Sequence, residues 1–324
     1  MRALVSGLCV LLLTGCSLVT DPAYAFSLPE LSSTPSRGLL LQSARPLDRS
    51  RFVLEADQAA RLSAWFTDLG PPRAGESFGH YVVRAALLMS GRPYALPGPG
   101  DGGENLKLEL DHFECVSIVE SSLALGRCAW LDNPSERCFI AEVARFRYRG
   151  GTFGGYSDRL HYFADWLADN DQRGRIRLQS GLPGTLPTRR SIHYMSAHRN
   201  RYDGLRDELT LVRMREHEAR LSAQNMPFLP AAAAKDAGAE LQTGDIVAIV
   251  GTLPGILVNH VGFVVREADG RLRLLHASSL AGRVGLTRGT LEDYLAARPE
   301  RIGIVTARPL PPAESGSVER LAGR

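Results

Sequence analysis

Residues 259–279, NHVGFVVREADGRLRLLHASS, leave this chain little conformational freedom. Two runs rich in β-branched and aliphatic residues flank Ala268-Asp269-Gly270, which reads as a β-hairpin. Each arm carries one histidine, His260 and His276. Because side chains alternate along a strand, the length of the loop decides which faces these histidines occupy. A two-residue Asp-Gly loop pairs position 268 with 271 and sends the imidazoles to opposite faces. A three-residue loop, with Gly270 in the left-handed conformation, pairs 267 with 271. His276 then stands opposite Gly262, on the face of His260. In that register the missing side chain of Gly262 leaves space beside both rings.

GDIVAIVG (244–251) and RIGIVTARPL (301–310) are also short, turn-bounded and β-branched, and read as further strands. The first half differs. LEADQAARLSAWFTDLG (54–70) and SFGHYVVRAALLMSG (77–91) space their apolar residues by three and four and end in glycine, as helices do. LELDHFECVSIVESSLAL (108–125) reads as another helix, with Asp111 as N-cap and Glu114 completing a capping box. Cys115 then falls in the first turn, where the positive helix end favours a thiolate, while the neighbouring Glu114 opposes it. Helices first and strands later make an α+β domain with a mostly antiparallel sheet.

The chain opens MRALVSGLCVLLLTGCSLVTD. Arg2 precedes roughly a dozen apolar or small residues, the length of a secretory h-region and too short to span a bilayer. LTGC (13–16) resembles a bacterial lipobox, which makes Cys16 the lipidated first residue after a leader of residues 1–15. The alternative is an ordinary signal peptide cut after AYA (23–25). Either route exports the protein. Ser17 after Cys16 leans towards the periplasmic face of the outer membrane, with a soluble periplasmic form as the alternative. Residues 16–50, rich in Ser, Pro and Arg, read as a tether. Residues 51–310 suffice for a domain with its own core, and 311–324 are a polar tail. The net charge is only +3 and no basic tract exists, so nothing points to nucleic acid.

Of five cysteines, Cys9 leaves with the leader and Cys16 goes to lipid. Cys128 and Cys138 flank AWLDNPSER, whose Asp-Asn-Pro turn lets them meet. A disulfide there stabilises by about 2–3 kcal/mol on loop-closure grounds. Two inert buried thiols are the alternative. The pairing leaves Cys115 as the odd thiol in an oxidising compartment. A thiol hydrolase needs a thiolate, an imidazole to move the proton and a third group to orient the imidazole. Cys115, His260 and His276 supply these types, although each alone is more often packing than chemistry. The histidines lack metal-ligand spacing and no CxxC or HExxH occurs, so neither metal nor cofactor is expected.

FECVSIVE, GYSDRLHYFADW, HYMSAHR, GDIVAIV, NHVGFV, HASS and DYL followed by IGIVTARPL occur in order between about Trp65 and Pro309. Together they resemble the N-acetylmuramoyl-L-alanine amidase-like branch of the NlpC/P60 cysteine hydrolases. The resemblance implies a papain-like core with the nucleophile helix packed on the sheet that carries the histidines. It assigns Cys115 as nucleophile, His260 as general base and His276 as the orienting residue, and sets Tyr94 of GRPY near the oxyanion. It also implies cleavage between N-acetylmuramic acid and L-alanine of peptidoglycan fragments. The rival readings are a D-glutamyl–diaminopimelate endopeptidase and a non-catalytic peptidoglycan-binding lipoprotein. Glu114 stands where the superfamily usually has Asp, and Ser117 and Ile118 replace Thr-Phe.

Arg159, His161 and Tyr162 in DRLHYF resemble a family motif and are candidates to bind substrate. Arg159 suits a bidentate grip on a stem-peptide carboxylate. The alternative pairs Arg159 with Asp158 or Asp165 and packs the other two. Met195, His198 and Tyr202 sit at helical spacing and read as packing. His80, His112 and His217 read as solvated or structural.

Overall fold

The computed structural model describes residues 54–96, 104, 106 and 108–313. Cys16, the leader and the tether lie outside the described residues. Helices α1 (Ala56–Leu69), α2 (Phe78–Leu87), α3 (Cys115–Trp130) and α4 (Glu136–Arg147) form the first half. Their positions follow the apolar spacing that marked the first three in the sequence.

The start of α3 departs from expectation. Glu114, not Asp111, is the N-cap. Its carboxylate accepts the backbone N–H groups of Val116 (2.8 Å) and Ser117 (2.6 Å), and Ser117 Oγ accepts the Glu114 N–H at 2.9 Å. Asp111 instead pairs with Arg61 at 2.6 Å. The helix starts late because the chain before it is held extended: Phe113 donates to the Pro93 carbonyl at 3.0 Å, and Ala95 donates to the Phe113 carbonyl at 3.2 Å. Cys115 is thereby the first helical residue. At the far end of α3, Cys128 bonds Cys138 on α4, with Cα atoms 5.8 Å apart.

Beyond α5 (Phe163–Gln172) come strands β1 (Ile176–Leu178), β2 (Leu186–Thr188) and β3 (Met226–Pro230), interleaved with α6 (Tyr194–Ala197) and α7 (Glu208–Ala223). So the order is not simply helices first. These strands are too short to show a period, and β2, which contains Pro187, lies at the sheet edge. After α8 (Ala234–Ala237) follow β4 (Ile246–Gly251), β5 (Val258–Arg266), β6 (Leu272–Ser278), β7 (Arg283–Leu286), α9 (Leu291–Ala296) and β8 (Arg301–Pro309). The sheet runs β2-β3-β8-β4-β5-β6-β7, with β1 also on β8, and every pairing is antiparallel.

The β5–β6 hairpin takes the three-residue loop. Arg266 pairs with Leu272, Glu267 donates to the Arg271 carbonyl at 2.9 Å, and Gly270 has φ +84°. His276 therefore stands level with Gly262. The space beside Gly262 is not open, however. A Cβ there would lie 2.6 Å from the Leu275 carbonyl oxygen and 2.9 Å from His276 Cβ. Glycine permits close approach of the two strands rather than room for a ligand.

The sheet buries both faces. Val261, Phe263, Leu275 and Ala277 join Ile118, Val119 and Leu123 of α3 in the larger core. Ile249, Val264, Leu274 and Ile304 pack with Leu291 and Leu295 of α9 on the other face. Each such large aliphatic or aromatic side chain contributes about 1.5–3 kcal/mol when fully buried.

Candidate active site

His260 and His276 meet. Nε2 of His260 lies 2.5 Å from Nδ1 of His276, with the ring planes nearly perpendicular. By strand alternation both share the face of Ile249 and Gly262, and the Tyr294 ring of α9 touches them from that side, 5.4 Å from His276 and 6.1 Å from His260. His260 keeps some exposed surface, whereas His276 is buried. Burial, then the nearby Arg301 guanidinium, pulls His276 down to about 4. Burial, His276 and Arg301 together hold His260 well below its ordinary value. Both rings are thus neutral at pH 7, which a proton acceptor requires.

His260 follows an irregularity. Ile249 pairs with His260 but Val250 pairs with Val258, so Asn259 is an extra residue in β5. Such a bulge raises the local twist and re-aims the next side chain. α3 packs on the opposite face of the same strands from the one the histidines share with Tyr294.

Around the start of α3, Tyr94 lies beside Phe113 in a short parallel bridge and donates its backbone N–H to the Gly282 carbonyl at 2.8 Å. Burial, reinforced by the Glu114 carboxylate, pushes the Tyr94 phenol up to about 12, so it stays protonated and able to donate. Glu114 is itself shifted upward by burial against its two backbone donors. Cys115 is buried and disulfide-bonded in this structure. Nucleophilic chemistry needs the reduced form.

The DRLHYF residues divide. Arg159 stands 3.8 Å from Glu104, which also accepts the Tyr148 hydroxyl at 2.5 Å. Neither expected carboxylate serves it: Asp158 accepts the Gly155 N–H at 2.8 Å, and Asp165 is forked by Arg149. The Arg159 side chain remains 34% exposed. His161 packs on the Tyr156 ring at 4.4 Å and bonds the Tyr156 carbonyl at 2.8 Å. Burial and Arg159 pull it down to about 3. Tyr162 donates to Glu218 at 2.6 Å and accepts from the Met195 N–H at 2.7 Å, so its hydroxyl ties α5 to α6 and α7. Met195 and Tyr202 are buried, and His198 stacks on Tyr194 at 4.2 Å. Among the described residues, no three His, Cys, Asp or Glu converge as metal ligands.

Tyr294 and Arg301, which complete the surroundings of the histidine pair, carried no signal beyond the DYL fragment. They come from α9 and β8, and only the fold brings them to the hairpin.

A family model described as N-acetylmuramoyl-L-alanine amidase-like matches residues 85–304, which include Cys115 and both histidines. An N-acetylmuramoyl-L-alanine amidase from Bacteroides uniformis superposes with a TM-score of 0.67 at 31% identity, over 72% of this chain and 99% of that one. A putative xylanase from Bacteroides fragilis gives 0.64 at 30% identity, over 69% and 98%. A Legionella pneumophila protein shares the fold, with a TM-score of 0.59 at 19% identity over 79% and 95%. No curated protein matches.

Proposed function

We propose that this chain, which belongs to the N-acetylmuramoyl-L-alanine amidase-like family, is a cysteine amidase that cuts between N-acetylmuramic acid and L-alanine in peptidoglycan fragments. The observation that carries the reading is the contact between His260 Nε2 and His276 Nδ1. If Nε2–H of His260 donates to His276, Nδ1 of His260 is the basic nitrogen left for a thiol. Reduced Cys115, first residue of α3, transfers its proton to that nitrogen and attacks the amide carbonyl. The backbone N–H of Cys115 and the protonated Tyr94 phenol stabilise the oxyanion. His260 returns the proton to the leaving amine, and water hydrolyses the thioester. His276 orients His260 throughout.

A thiol-bearing helix packed on an antiparallel sheet with two histidines supports placement in the NlpC/P60 superfamily and its papain-like core. The partly exposed Arg159 suits the stem-peptide carboxylate. The xylanase name of one neighbour fits less well, since glycoside hydrolysis usually relies on a pair of carboxylates across the bond, whereas imidazoles occupy this centre. Lipidation at Cys16 and residence on the periplasmic face of the outer membrane complete the proposal.

The test is mass spectrometry of muramyl tri- and tetrapeptides incubated with the protein and a reductant, alongside Cys115→Ala. Free peptide beginning with L-alanine, released only by the unmutated protein, is the expected result. Cleavage before diaminopimelate keeps the mechanism and overturns the bond. Equal release by Cys115→Ala removes the thiol from the mechanism, and no product at all favours a wall-binding role.

A further inference from the structure

Arg301 opens β8 and pairs across β4 with Gly251. Its guanidinium carbon stands 3.7 Å from the centre of the Tyr294 ring, and its Nη1 donates to the Tyr294 carbonyl oxygen. Tyr294 in turn meets His276 edge-on, with centroids 5.4 Å apart. A guanidinium, a phenol and two imidazoles thus form one continuous chain of contacts, stacked at Arg301 and edge-on at His276, from the first residue of β8 to the partly exposed His260. The neighbouring charges are accounted for: Arg298 pairs with Glu300 at 3.5 Å, and the Tyr294 phenol is held neutral by burial.

We propose that Tyr294 and Arg301 are a positioning pair for the His260–His276 couple, Arg301 clamping the Tyr294 ring and that ring setting the plane of His276. The inference rests on the reading of His260 as the catalytic base. Cation–π stacking together with a backbone hydrogen bond fixes an aromatic ring more firmly than packing alone. An imidazole plane fixed in this way fixes the direction of its hydrogen bond to His260. The pair also has an electrostatic consequence. Among the described residues, Arg301 is the cation that acts on both rings, added to burial for His276 and to burial and His276 for His260. It disfavours protonation and keeps the base available.

Two readouts on the full chain test this. Histidine titration followed by NMR needs no substrate. Arg301→Met should raise the His260 and His276 midpoints by about one pH unit, a tenfold change in proton affinity. Arg301→Lys, which keeps the charge, should restore most of the difference. In the muropeptide assay, the acid limb of kcat/KM should move to higher pH in Arg301→Met, with kcat down about tenfold and KM nearly unchanged. Unmoved titrations with unchanged kcat would overturn the proposal. So would a raised KM at full kcat, which would make Arg301 a substrate ligand. If Arg301→Met does not fold, Tyr294→Leu decides: lost kcat with a displaced His276 resonance supports the pair, and full kcat refutes it. If the unmutated protein releases no product, the amidase reading fails, while the titrations still decide the coupling.

Discussion

Gly262 shows how much of the site depends on a single absent side chain. Its Cβ would press on the Leu275 carbonyl and on His276 Cβ, the first held in the β5–β6 ladder and the second in the β6–β7 ladder. Gly262→Ala should therefore force the strands apart beside the histidines. We expect a loss of about 1–3 kcal/mol in urea unfolding, the range for overpacking a tight interior, together with a fall in kcat. A protein of unchanged stability would show that the ladder yields more easily than its spacing suggests. The histidines make a second prediction. A folded-state value for His276 of about 4, against 6.5 for a free imidazole, means that the unfolded chain binds its proton first. Stability from this group is complete above pH 6.5 and is lost as pH falls towards 4, on the order of 3 kcal/mol. Thermal melts across that window should show the decline, and His276→Gln should flatten it. At this scale the sequence was informative where chemistry is covalent or titratable: Cys115, His260 and His276 stood out by type. Tyr294 and Arg301 did not, because a ring contact made between distant segments leaves no local pattern.

Elements were legible in proportion to their period. The hairpin could be narrowed to two registers, and the one observed is the bulged loop that puts both histidines on one face, with Gly270 supplying the positive φ it needs. The start of α3 could be read only to within a turn. Asp111 and Glu114 fit a capping box, but Phe113 is drawn into a bridge with Tyr94, so the cap passes to Glu114. The Glu114 carboxylate is thus committed to two backbone N–H groups in the turn that holds Cys115. Glu114→Ala should cost about 1 kcal/mol through the lost cap, measured by chemical denaturation, and an unaltered midpoint would deny the cap that role. The other end of α3 is held covalently. Cys128→Ser with Cys138→Ser should destabilise by about 2–3 kcal/mol in urea while leaving kcat intact, because the bond lies at the opposite end of α3 from Cys115. A large fall in kcat would instead mean that helix orientation is transmitted along its whole length.

At the scale of the molecule, the helices and the sheet are joined by a buried ionic knot centred on Glu142. Glu142 on α4 accepts from Arg127 of α3 at 2.8 Å, from Arg145 at 2.5 Å and from Arg175, which leads into β1. Arg127 also donates to the Leu310 carbonyl just past β8, at 2.9 Å, and Arg175 stacks on Phe146 at 4.0 Å. Nothing in the sequence marks this arrangement, because its members are scattered along the chain and each alone looks like a surface charge. Burial pushes the Glu142 carboxyl up, but Arg175 and Arg127 outweigh it and leave it below the ordinary value. Its contribution is therefore present above pH 4.5 and disappears as pH falls below, a second acid window beneath that of the histidines. Glu142→Ala strands the two buried arginines and should cost about 3–5 kcal/mol, whereas Glu142→Ala with Arg175→Ala should lose less than the sum of the single variants. Urea unfolding of the four proteins measures that coupling. Strict additivity would show that the arginines find water when the carboxylate is gone, and that the two layers are held together by their apolar core alone.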